Sequence, residues 1–196
     1  ANTYSAYVGG PIIKDKLFFF VSAETTKDHT DAPGGNPDAG FSKTGAKYSS
    51  NDPKVYAKLN WNINSNNLLE ATYVAERYKQ TGTTYGFDWP TYSYGAALSP
   101  ATGTQANTHF EVLKYTGYLT DNLTLSATYG RSSATYNTDP YNTGLPYISS
   151  GSSQNPALNG GHSIVNAQST YRATKATQDK SDGLRVELEW VLGRHT

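Results

Sequence analysis

The sequence predicts an all-β protein: an antiparallel up-and-down meander of about seven strands, part of a transmembrane β-barrel with short periplasmic turns and long extracellular loops. Three observations carry that expectation. Apolar and polar residues alternate with period two in segment after segment, whereas helical periodicity is hard to find. Each segment is near the 9–11 residues that a tilted membrane strand needs. Short and long connections alternate strictly along the chain, as they do in a barrel whose two ends face different compartments.

The elements follow in order. A first strand, about 2–12, alternates Tyr4, Ala6 and Val8. The second, about 17–26, carries Leu17, Phe19, Val21 and Ala23 on one face, while Phe18 and Phe20 make its other face aromatic too. The third, about 54–63, sets Val55, Ala57, Leu59, Trp61 and Ile63 against Tyr56, Lys58, Asn60 and Asn62. In the fourth, about 67–79, Leu69, Ala71, Tyr73 and Ala75 oppose Glu70, Thr72 and Glu76. The fifth, about 108–119, alternates Leu113, Tyr115, Gly117 and Leu119 with Lys114, Thr116 and Tyr118. The sixth, about 123–136, sets Leu123, Leu125, Ala127 and Tyr129 against Thr124, Ser126, Thr128 and Gly130. The seventh, about 180–192, shows Leu184, Val186, Leu188, Trp190 and Leu192 opposite Arg185, Glu187 and Glu189. Successive side chains on a strand point to opposite faces, so each segment is built to separate two different solvents.

Turns and faces agree. Asn64-Ser65-Asn66 and Thr120-Asp121-Asn122 read as three-residue loops that pair Ile63 with Asn67, Trp61 with Leu69, and Leu119 with Leu123. Outward residues thereby meet outward residues. Ile13-Lys14-Asp15-Lys16 is the equivalent tight connection at the start, and Gly193-Arg194-His195 begins another. The long loops, about 27–53, 80–107 and 137–171, are rich in turn residues, as in Ala32-Pro33-Gly34-Gly35-Asn36-Pro37 and Ser149-Ser150-Gly151-Ser152-Ser153. They exceed the connections usual in a compact soluble domain.

Composition excludes several classes. With no cysteine there is no disulfide scaffold, thiolate zinc site or cysteine nucleophile. Sixteen basic and sixteen acidic residues leave no net charge and no basic block, which argues against a nucleic-acid partner. No apolar run reaches the roughly 18 residues of a transmembrane helix, and no signal peptide opens the chain. The low mean hydropathy does not imply solubility, because a barrel strand averages a lipid face with a lumen face. A chain that starts at Ala1 and holds no methionine leads to the expectation of a processed product or an internal piece.

Phe19, Trp61 and Trp190 face outward near the short-turn ends of their strands, an arrangement suited to an interfacial aromatic girdle. Ordinary strand propensity also favours aromatics there.

The run Gly9-Gly10-Pro11-Ile12-Ile13-Lys14-Asp15-Lys16-Leu17-Phe18-Phe19-Phe20 resembles a motif near the start of the barrel in TonB-dependent outer-membrane receptors, most closely the Oar-like, carboxypeptidase-regulatory-domain type. In that family a strand ends at Gly-Gly-Pro, turns through Lys-Asp and returns as an aromatic strand. Leu192-Gly193-Arg194-His195-Thr196 also resembles a periplasmic turn of these barrels. The resemblance implies a bacterial outer-membrane location and a whole protein that imports a scarce nutrient or chelate, energised through TonB. Its partners would be the remainder of the barrel, a plug domain, outer-membrane lipid and TonB through a missing N-terminal region. Such barrels have about 22 strands. About seven strands would then be an internal slice, with Ala1 entering from outside.

Chemistry is sparse. His29, His109, His162 and His195 are scattered; Asp28-His29 with Asp31 could hold a metal, though solvated loop polarity is the simpler reading. No catalytic or phosphate-binding motif occurs, so no enzyme, catalytic residue, metal or cofactor is expected. Asn122-Leu123-Thr124 fits a glycosylation acceptor but reads as turn chemistry, and Glu187 with Glu189 reads as lumen polarity. The best ligand-binding candidate is the extracellular loop bearing Tyr85, Phe87, Trp89, Tyr92 and Tyr94. Its rings either stack on a sugar, peptide or aromatic chelate, or pack against neighbouring loops. Two other functions stay open. One is a self-assembling or adhesive β-sheet fragment that pairs edge to edge. The other is a soluble carbohydrate-binding β-sandwich.

Overall fold

The computed structural model describes residues 1–33, 44–98, 102–139 and 176–193. They form one antiparallel sheet without a helix. Its strands are β1 (Asn2–Ile13), β2 (Leu17–Pro33), β3 (Thr44–Asn64), β4 (Asn67–Asp88), β5 (Ser93–Ala97), β6 (Thr102–Thr120), β7 (Leu123–Asp139) and β8 (Thr177–Trp190). The order is β1-β2-β3-β4-β6-β7-β8, with β5 folded back on β4, and β1 and β8 are the two edges of the described sheet. This is the expected up-and-down meander, with eight strands rather than about seven. The extra strand is β5, which the sequence hides in a loop of aromatics and glycines.

The strands also run further than the alternation suggests. Thr25 to Pro33 pairs with Gly45 to Pro53, and Gly82 reaches Thr102, so much of the expected loops 27–53 and 80–107 is ladder. Backbone hydrogen bonds need no apolar face. Where both faces are polar the strand continues without alternating, and the pattern that reveals it disappears. Asp52 and Pro53 fall in a gap of the β3–β4 ladder between the pairs Asn51–Lys79 and Lys54–Glu76, as a residue without an N–H requires. Segment 34–37, most of loop 137–171, and Arg194 to Thr196 lie outside the described residues.

Each described hairpin closes on a bulge. The body of β3–β4 has the expected pairing of Trp61 with Leu69, but at the tip Asn64 faces Asn67 and Ile63 becomes the extra residue. Likewise Thr120 faces Leu123, leaving Leu119 extra. Ile63 therefore does not meet Asn67, nor Leu119 Leu123. The turns proper are two residues, Ser65-Asn66 and Asp121-Asn122. Asn64 Oδ1 accepts from the Asn66 N–H at 2.9 Å and from Asn67 Nδ2 at 2.8 Å, so a side chain takes the place of a third loop residue. In the first hairpin Ile13 faces Leu17, the Lys16 N–H donates to Ile13 O at 3.1 Å, and Asp15 takes φ 61°. Pro11 does not end pairing there. It stands opposite Phe18, and the ladder continues to Ile13 past a bulge, since an edge strand beside a bulge tolerates proline.

The register collects the apolar residues on one face. One row across the sheet reads Leu17, Trp61, Leu69, Tyr115, Ala127, Val186; the next reads Gly10, Phe19, Leu59, Ala71, Leu113, Tyr129, Leu184. The opposite face carries Lys58 bonded to Glu70 at 3.0 Å, and Lys54 bridging Asp52 at 3.0 Å and Glu76 at 3.5 Å. Among the described residues no second layer covers the apolar face. Among the described residues Phe87 is the one hydrophobic side chain counted as buried, while Leu184, Val186 and Leu188 are each more than 60% exposed. The described residues form one sheet, not the two facing sheets that a sandwich packs together.

The turns do not lie on a line perpendicular to the strands. The residues flanking them on the return strands, Leu17, Asn67 and Leu123, step by two residues from one hairpin to the next: Leu17 shares a row with Leu69, and Asn67 shares one with Leu125. One residue of shift per strand, with about 3.3 Å rise and about 4.8 Å strand spacing, inclines the strands by about 35° to the normal of the turn line. From β2 to β7 the far edge of the apolar face steps by the same four residues as the turns, all of it between β4 and β7. The first polar residue of that face is Thr25 on β2, Arg77 on β4 and Arg131 on β7, eight to ten residues beyond the turn flank in each case. At about 2.7 Å of height per inclined residue, the band is about 22–27 Å tall, close to the roughly 25 Å apolar belt of outer-membrane barrels.

Candidate functional site

The five aromatics of the candidate binding loop come together, and they do so on each other. Tyr85 and Phe87 close β4, Tyr94 opens β5, and the reversal between them is held by Thr91 bonding Asp88 and by Tyr92 at φ 51°. Phe87 is the hub, 5% exposed. Trp89, Tyr92 and Tyr94 meet it edge to face at centroid distances of 5.1, 5.3 and 5.0 Å. Tyr85 meets Tyr94 at 5.9 Å. Such edge-to-face contacts favour the quadrupoles of the rings and fix the hairpin without a larger core. Lys47 on β3 places its ammonium 4.5 Å from the Tyr94 ring centroid and 5.8 Å from that of Tyr85, tying the hairpin to the sheet.

Of the five rings, Tyr92 is the exposed one at 67%. Tyr94 Oη and Trp89 Nε1 are enclosed and, among the described residues, have no hydrogen-bond partner. Burial raises the Tyr94 hydroxyl above the usual phenol range, and the Asp31 carboxylate and Tyr92 add to that shift. Four rings thus serve the hairpin and one serves its surface. Lys47 was invisible in the sequence because it is distant along the chain and lies in a stretch expected to be loop.

Phe19, Trp61 and Trp190 share the apolar face. Phe19 stands two residues beyond Leu17; Trp61 faces Leu69, two beyond Asn67; Trp190 stands two before Leu192, where the chain bends at Gly193 with φ 61°. On the inclined sheet Trp61 and Trp190, the latter opposite Leu123, are level, and Phe19 lies about one residue higher. In the Gly9 to Phe20 motif, Phe19 faces Gly10 on the apolar side. Phe18 and Phe20 lie on the polar face, where Phe20 stacks on Tyr7 at 6.1 Å and meets Tyr56 edge-on at 5.9 Å. Lys14, Asp15 and Lys16 form the turn.

The weaker candidates separate. Alternation puts Asp28 on the face opposite His29 and Asp31. Asp28 bonds Thr30 at 2.8 Å and the Ala1 ammonium at 3.2 Å, while Asp31 pairs with Lys47 at 4.0 Å. Among the described residues no three His, Asp or Glu side chains converge as a metal site would require. Glu187 is engaged by Arg185 on its own strand. His162 and His195 lie outside the described residues.

The polar end of the apolar face holds a groove that the sequence reading passed over. It is about 510 Å³, lies between β3, β4 and β6, and has Pro53, Tyr73 and Ala75 beside Arg77, Lys79 and His109. Continuing the odd-numbered alternation of β4 past Ala75 would have found both cations on the same face.

No protein-family model and no curated protein matches the chain by sequence. Among solved structures it is similar to the copper transporter OprC, with a TM-score of 0.54 and 11% identity over 98% of this chain. The chain spans 28% of the length of that protein. At this identity the likeness is one of fold.

Proposed function

We propose that this chain is one wall of an outer-membrane β-barrel transporter of the TonB-dependent, Oar-like type. Its short turns lie in the periplasm, and the β4–β5 hairpin lies outside with the long connections. The inclined apolar band carries the reading: an uncovered face about 22–27 Å tall on strands inclined about 35° fits a bilayer. The fold shared with a transporter supports it. Phe19, Trp61 and Trp190 form the periplasmic aromatic girdle. The polar face with its Lys58–Glu70 pair lines the lumen against a plug domain, and the edges β1 and β8 take up the remaining strands of the barrel. An edge left unpaired in lipid would leave N–H and C=O groups that cost several kcal/mol each, so the piece joins its missing strands or pairs edge to edge. The whole protein imports a nutrient or chelate, and Tyr92, held out by the packed rings beneath it, is the aromatic surface the cargo meets.

Single cysteines in the full-length protein in native membranes test this. Leu59, Leu125 and Leu188 should react with a lipid-phase label, and Lys58, Ser126 and Glu187 should not. Equal labelling of the two sets would sink the barrel reading.

A further inference from the structure

We propose that the groove between β3, β4 and β6 is a binding site for the phosphorylated headgroup of a lipid in the leaflet on the long-connection side. The inference rests on the barrel reading. Its observations are the position and the make-up of the groove. Arg77 stands ten residues beyond Asn67, hence about 27 Å above the turn line, where the hydrocarbon ends and headgroups begin. Below it on the same face are Ala75 and Tyr73, the latter 39% exposed, an apolar surface for the first segment of an acyl chain with a phenol at interface depth.

The charges are arranged for an anion. Glu111 and Asp182 both stand opposite Arg131, so that cation has carboxylates on either side. Arg77 has Asn107 across the ladder, and Lys79 has Asn51 on one side and Gln105 on the other. Among the described residues neither Arg77 nor Lys79 makes an ion pair, in contrast to Lys47, Lys54, Lys58 and Arg185. Lys27 joins the Asn51–Lys79 row from β2 and is likewise without one. Glu76 also lines the groove, but its carboxylate is taken by Lys54 at 3.5 Å. Two cations without an ion pair, flanked by amides and above Ala75 and Tyr73, complement a phosphate monoester or diester carried on an acyl chain. The guanidinium can take two phosphate oxygens, the ammonium a third, and the amides the remainder.

Native mass spectrometry of the full-length protein in detergent, offered phosphatidylglycerol and diacylglycerol in turn, tests the site. Phosphatidylglycerol should give a bound adduct and diacylglycerol should not. Arg77→Gln and Lys79→Gln should each weaken the adduct about five-fold and together about 25-fold, on the worth of a cation beside an anionic headgroup. Lys58→Gln, on the opposite face and paired with Glu70 away from the groove, should leave it unchanged. Equal adducts with the two lipids would overturn the proposal without reference to any variant. Full binding by the double variant would do the same, as would displacement by inorganic phosphate alone, which would mark a free-anion site. Cysteine labelling at Leu59 and Leu188 separates the two levels: if it holds while lipid selectivity fails, the barrel stands and this site falls.

Discussion

The ring of Tyr48 fills the space above Gly82, its direct partner across β3 and β4: a β-carbon at 82 would stand 2.7 Å from both Cδ1 and Cε1. Phe20 covers Gly9, also its direct partner, with 2.9 Å to the ring. Tyr94 covers Gly45, where a β-carbon would stand 2.7 Å from Cε1. In a single-layer sheet a glycine leaves bare backbone, and a neighbouring ring restores the packing that a second layer would provide. Gly82→Ala should therefore destabilise the full-length protein by about 1–3 kcal/mol through overpacking. Adding Tyr48→Ser should recover part of that loss, and a double-mutant cycle in urea would measure the coupling.

Depth along the inclined band sets a second expectation. Leu113 lies about five residues above the turn line, about 14 Å, and Leu59 about three, about 8 Å, whereas Leu125 is two residues above Leu123, about 5 Å. Arginine at Leu113 should cost about 2–4 kcal/mol, at Leu125 about 1 kcal/mol or less, and at Leu59 an amount between the two. Unfolding in vesicles compares them directly. Equal costs would mean the strands are not inclined as the register implies.

Phe87 holds the β4–β5 hairpin through three edge-to-face contacts. Phe87→Ala removes the hub and should loosen this hairpin by about 3 kcal/mol. Limited proteolysis should then cut between Asp88 and Ser93 from outside intact cells, while the Ser65-Asn66 turn stays protected. Tyr92→Ala removes one of the three contacts, so it should raise proteolysis less than Phe87→Ala does, and it should weaken uptake.

Tyr94 should titrate late. Its raised value means that the folded hairpin holds the phenol proton more tightly than the unfolded chain does. The stabilisation is complete below the unfolded value of about 10 and is lost as pH rises through the higher folded one. The difference in phenolate absorbance between the wild type and Tyr94→Phe should have its midpoint above that of an ordinary tyrosine.

Much of the sheet was legible because an apolar face and a polar face impose period two on the residues between them. The body register of β3–β4 and β6–β7 followed from matching faces, down to Trp61 opposite Leu69. The bulges at Ile63 and Leu119 were not legible, since an extra apolar residue at a turn looks like one more outward position. Past Thr25 and Arg77 both faces meet water, alternation fades, and ladder read as loop. The rings from Tyr85 to Tyr94 were plain in the sequence; that they close on Phe87 was not, because composition does not say which way a ring turns.

The bulges give the sheet a place to absorb changes in length. Between two solvents a strand has a reading frame of two. Losing one residue among Val55 to Trp61 would throw everything on one side of the gap out of phase, sending lysines to the lipid and leucines to the lumen. Ile63 stands outside that frame: without it, Asn64 would follow Asn62 in regular pairing with Asn67 and Leu68, and the two-residue turn would close unchanged. Ile12 and Leu119 hold the same position in their hairpins. A single-residue deletion at these bulges near the short turns would therefore leave both faces of the sheet in phase.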